Sequence, residues 1–121
     1  MGNVLVVGLG GFLGSALRYT LARLLYARAP GFPLGTLAVN VLGCLAIGLV
    51  LGALDARADA HPWWRLFLAA GVLGGFTTFS AFGYETVELL RAARYGPAFV
   101  SVAGNVGLGL LAVVAGRALT G

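Results

Sequence analysis

Four apolar runs, each about twenty residues long, divide this chain and leave it little choice but to fold as a helical bundle across a membrane. They cover residues 4–25, 34–54, 66–89 and 98–119. A helix rises about 1.5 Å per residue, so each run matches a hydrocarbon core about 30 Å thick. Backbone groups deprived of water must be satisfied inside the protein, and a helix does this within a single segment. The gaps, residues 26–33, 55–65 and 90–97, are short and hold most of the charge, proline and tryptophan. They read as turns, which leaves no room for a second domain. With 60% hydrophobic residues among 121 and a mean hydropathy of +0.95, the lipid bilayer is the expected solvent. The expectation is an all-α membrane protein: one four-helix transmembrane domain over residues 1–121.

The first run has no basic segment before it, and Arg18 and Arg23 fall toward its far end, so it reads as a retained span and not as a secretory signal. Cys44 is the only cysteine and lies inside the second span, which rules out an intrachain disulfide. The positive charge comes from eight arginines without lysine. They are spread along the membrane edges and form no basic cluster interleaved with aromatics, so no nucleic-acid partner is expected. Arg57, Arg65 and Arg117 flank one side of the bundle, and Arg23, Arg28, Arg91 and Arg94 the other. Orientation follows such counts, and near-balance permits insertion both ways and an antiparallel dimer of identical subunits. One fixed orientation, set by Arg18 together with the second group, is the alternative.

Chemistry concentrates in Gly71-Val-Leu-Gly-Gly-Phe-Thr-Thr-Phe-Ser-Ala-Phe-Gly83, where glycines, hydroxyls and aromatics sit inside an otherwise apolar span. Glycine loosens a helix, and backbone freed from helical bonding is tolerated at membrane depth only where protein buries it or a cavity is lined by it. Thr77, Thr78 and Ser80 supply hydroxyls. Phe76, Phe79 and Phe82 recur at i, i+3, i+6 and are predicted to share one helical face. Such a face serves packing, or it presents the positive ring edges to a small anion. Asn40, in the second span, either donates its amide hydrogens to an anion or bonds a neighbouring helix. Arg18 either faces a cavity or a partner, or snorkels to the interface. Glu85, Glu88 and Arg91, three apart, form a charge cluster at a helix end or the mouth of a pore.

The glycine-rich opening, Val4 to Arg18, imitates a dinucleotide-binding turn but departs from its spacing at Leu13 and has no acidic residue before Asp55. Helix packing accounts better for the pairs Gly10 and Gly14, Gly48 and Gly52, and Gly71 and Gly75. Trp63 and Trp64, beside His61, read as interface anchors. The sequence has no cluster of metal-ligand side chains and no base placed near a nucleophile, so an enzyme is not expected.

Arg18-Tyr19 after a glycine-rich start, Gly35-Thr-Leu-Ala-Val-Asn40 with Gly43, and Gly74-Gly-Phe-Thr-Thr-Phe-Ser-Ala-Phe82 stand in order across four spans. In these motifs the chain resembles the Fluc (CrcB) fluoride channels over essentially its whole length. The resemblance implies a plasma (inner) membrane channel, a dual-topology antiparallel homodimer with a third helix broken near its middle. Two pores would let fluoride leave the cytoplasm passively. It further implies that Phe79 and Phe82 line the pores, with Asn40, Thr78, Ser80 and Asn105 along the fluoride pathway. Arg18 and Glu85 would stand at the vestibules, and the backbone carbonyls of Gly74 and Thr77 would hold a central structural sodium ion (Na+). Ala81 replaces a more usual Thr, and Asn105 a more usual Ser or Thr.

Moving a bare small anion into low dielectric costs on the order of tens of kcal/mol, so donors must replace water along the whole path. Sites must also be weak enough for the ion to leave, which favours neutral donors over a buried arginine pair. A small dual-topology multidrug or cation transporter is the alternative. It needs a membrane-embedded carboxylate, which the first span lacks.

Overall fold

In a computed structural model covering residues 1–121, the chain forms four helical passes. Helix α1 spans Gly2–Leu25 and continues as a tighter turn, Tyr26–Arg28. Helix α2 spans Leu34–Asp55. The third pass consists of α3 (residues 62–76) and α4 (Phe79–Arg91), and the fourth is α5 (Tyr95–Thr120). All four are long and apolar enough to cross a membrane.

The passes extend the expected segments by a few residues at most of their ends because the flanking chain also has helical signals. His61 caps α3 by accepting the Trp63 N–H on Nδ1 at 3.1 Å, and Pro62 at the first helical position has no N–H to leave unpaired. Residues 65–73 of α3 and 104–108 of α5 are wound as wider π-helix. Such turns leave carbonyls and side chains out of the ordinary α register. Between α3 and α4, Thr77 (φ −89°, ψ 159°) and Thr78 (φ −150°, ψ 119°) have extended backbone.

Only 17 of 121 residues are buried; five are hydrophobic, two are Thr36 and Ser101, and the rest are glycine. In lipid, apolar side chains gain little by turning inward, so helices associate through close backbone packing instead. The glycine pairs show this. A Cβ on Gly10 would come within 2.9 Å of the Gly71 Cα, and one on Gly75 within 2.7 Å of the Gly11 carbonyl oxygen, which fixes α1 against α3. A Cβ on Gly48 would lie 3.1 Å from the Gly116 Cα, joining α2 to α5 in the same way. At one end of the bundle Asp55 accepts from Arg117 at 3.1 Å and pairs with Arg65, so one carboxylate ties the ends of α2, α3 and α5.

Candidate functional site

Asn40, about a third of the way along α2 on the face that meets the extended residues, connects the site. Its Nδ2 donates to the Thr78 carbonyl at 3.1 Å and to Asn105 Oδ1 at 2.7 Å, while its Oδ1 accepts the Thr78 N–H at 2.8 Å. Asn105 in turn donates to the Ser101 carbonyl at 2.8 Å. Thus one primary amide replaces the helical bonding that Thr78 has lost, and it joins α2, the third pass and α5. Both amide hydrogens are engaged within the subunit, which is the helix-to-helix reading of Asn40. Ser101, buried at 1% exposure, was not singled out by its sequence. The available signal was a hydroxyl one helical turn before Asn105 in an apolar span.

The carbonyls at the interruption follow from the same bonds. In a continuous helix the Gly74 carbonyl would receive the Thr78 N–H, which here goes to Asn40. The Thr77 carbonyl would receive the Ala81 N–H, which here goes to Thr78 Oγ1 at 3.2 Å as the N-cap of α4. The helical partners of Gly74 and Thr77 are therefore spent elsewhere. Arg18 donates Nε to the neighbouring Gly75 carbonyl at 3.0 Å. A cation at that position faces the partially negative C-terminal end of α3. Of the two readings of Arg18, the structure shows the one in which it meets a partner inside the bundle.

A cavity of about 320 Å³ opens here, lined among others by Asn40, Gly74, Thr78, Phe79, Phe82 and Asn105. Phe79 and Phe82 meet edge to face, centroids 5.6 Å apart and planes at 61°. Phe82 is buried, whereas Phe79 is 82% exposed. Ser80 is exposed with its hydroxyl 3.3 Å from that of Thr78, so one of the two hydroxyls donates to the other.

Two expectations about neighbours are corrected. Phe76 does not share a helical face with Phe79 and Phe82, because the extended residues Thr77 and Thr78 intervene and the i, i+3 spacing stops describing one surface. Its ring lies against Gly43 of α2. The cluster of Glu85, Glu88 and Arg91 is only a loose pair, Arg91 to Glu88 at 3.7 Å. Glu85 stays apart, one carboxylate oxygen buried and unpartnered, in a groove with Pro33, Leu89 and Arg94 and not in the cavity of Asn40.

Four apolar passes, packed through glycine around an interrupted helix with neutral polar groups at its centre, define a multi-pass membrane protein with a polar site at membrane depth. Inside a bilayer such a site marks a solute or ion path more readily than a catalytic centre. Residues 5–117 match the family described as CrcB-like protein, Camphor Resistance (CrcB), and the chain belongs to that family. A fluoride-specific ion channel FluC of Paracoccus denitrificans is 50% identical over 112 residues, covering 93% of this chain and 89% of that protein. Fluoride-specific ion channels FluC of Solibacter usitatus (45% over 116 residues, 95% of each chain) and Rhizobium meliloti (45% over 120 residues, 98% and 96%) are similar to it over nearly their full length.

Proposed function

We propose that the chain is a fluoride-specific ion channel of the plasma membrane, which lets fluoride leave the cytoplasm down its gradient. The observation that carries this reading is the meeting of Asn40, Thr78, Phe79, Phe82 and Asn105 around one cavity at the interruption of the third pass. It is supported by relatives named as fluoride-specific channels at 45–50% identity. Fluoride is small and strongly hydrated, and its dehydration must be offset by donors at every step. Of the Thr78 and Ser80 hydroxyls one donates to the other, which leaves the second hydroxyl's hydrogen for the ion. The Phe79 and Phe82 ring edges add positive potential without a formal charge. Asn40 orients Thr78 and Asn105 so that the path is built before the ion arrives. Arg18 and Glu85, which lie outside the cavity of Asn40, would act as vestibule charges that attract or reject ions without trapping them.

The working unit in this reading is an antiparallel homodimer with two pores. Phe79 lines the cavity yet is 82% exposed in one subunit, as expected of a ring that a second subunit covers. The Gly74 and Thr77 carbonyls, released from helical bonding, suit a small alkali cation: they are hard, neutral oxygen ligands, and two subunits would offer four. A structural sodium held there supplies fixed positive charge beside both pores.

Purified protein in liposomes loaded with potassium fluoride should release fluoride to an electrode once a potassium ionophore compensates the charge. Absence of efflux, or efflux indifferent to the ionophore, contradicts an electrically conducting channel.

A further inference from the structure

Two grooves at the end of the bundle near the second connection share His61 and Trp64 as a common wall. One, of about 520 Å³, is bounded by Leu54, Arg57, Asp59 and Leu68. The other, of about 430 Å³, is almost wholly apolar and bounded by Val6, Leu9, Trp63 and Phe67. The polar groups around this wall fall into two sets. Asp55, Arg65 and Arg117 neutralise one another, and Trp63 is fixed by its indole bond to Asn3 Oδ1 at 3.0 Å and by edge contact with His61. In contrast, the side chains of Arg57 and Asp59 and the Trp64 indole make no ion pair or hydrogen bond within the chain, and all three residues are exposed. The unpaired set contains a cation, an anion and a neutral donor, placed where apolar spans give way to the connection.

We propose that this end of the protein holds one phospholipid of the surrounding bilayer with a zwitterionic ethanolamine headgroup. Arg57 takes the phosphodiester, as a guanidinium fork matches two phosphate oxygens. Asp59 takes the primary ammonium, which donates hydrogens that a quaternary ammonium lacks. The Trp64 indole N–H reaches the ester region, the level at which tryptophan settles in membranes. The acyl chains enter the grooves on either side of Trp64, against Leu68 and against Leu9 and Phe67. A headgroup with phosphate alone satisfies Arg57 but leaves Asp59 facing negative charge, so the paired charges select against an anionic lipid.

The test uses protein stripped of lipid in detergent and titrated with dioleoyl phosphatidylethanolamine, phosphatidylcholine or phosphatidylglycerol, with bound lipid counted by native mass spectrometry. Phosphatidylethanolamine should be retained roughly threefold to fivefold better than either other lipid, the worth of a partly exposed ammonium hydrogen bond that choline lacks or of an ion pair that glycerol lacks. Asp59→Asn, which keeps the side-chain shape, should erase that preference. Arg57→Ala should reduce retention of all three. Fluoride efflux should be unchanged in both variants, since neither residue lines the cavity of Asn40. Equal retention of the three lipids by the wild type, or an unaltered order of preference in Asp59→Asn, would overturn the assignment.

Discussion

Asn40 has a single primary amide, and its three bonds to Thr78 and Asn105 use both hydrogens and the carbonyl oxygen. A hydrogen bond between membrane helices contributes only about 0.6 kcal/mol on average. Its greater effect is positional: with Thr78 N–H held by Asn40, the chain need not return to helix and the Phe79 and Phe82 rings begin a new one. In the proposed channel it is the ring edges, and not the ring volume, that a fluoride ion would meet there. Phe82→Ile keeps apolar bulk at a buried position while removing the quadrupole, so liposome efflux should fall by roughly tenfold, the upper end of what an aromatic edge contributes. Gel filtration should still show the assembled protein. Wild-type efflux from this variant would assign the ring to packing alone.

Helix α4 ends with Arg94 N–H bonded to the Leu89 carbonyl at 2.8 Å and Ala93 N–H to that of Leu90 at 3.0 Å. This paired closure places Ala93 in the left-handed region at φ 59°, where glycine is the usual occupant. A Cβ in that conformation costs about 1 kcal/mol. Ala93→Gly should therefore raise the stability of the detergent-solubilised protein by about that amount, read as a higher thermal midpoint; an unchanged or lower midpoint would mean the strain is relieved elsewhere. The helices themselves were legible in the sequence because span length and apolarity are local properties. So were the glycine pairs at positions 10, 14, 71 and 75, since close approach requires the missing side chain at one fixed spacing. Partnerships between spans were not. Asn40, Ser101 and Asn105 each read as a polar residue in an apolar run, and nothing in the sequence states that they bond in a chain. The common face assigned to Phe76, Phe79 and Phe82 failed for a related reason. Periodicity assumes an unbroken helix, and the extended backbone at Thr77 and Thr78 depends on an acceptor from α2.

At the scale of the whole molecule, the near-equal arginine counts on the two flanks and the exposed Phe79 beside the cavity both support a second, inverted copy. With Gly121→Cys as the only thiol in a Cys44→Ser background, impermeant reagent should label the C-terminal end from both sides of the membrane. Labelling from one side alone would defeat the antiparallel dimer. In the proposed channel the assembled protein passes fluoride as an ion, with sodium as a fixed part of its wall. Currents across a planar bilayer test this most directly. With fluoride tenfold higher on one side, current should reverse near the fluoride equilibrium potential, about 59 mV for a singly charged ion. Imposed sodium or proton gradients should not move that potential. A reversal near zero, or one that follows sodium or protons, would contradict the account.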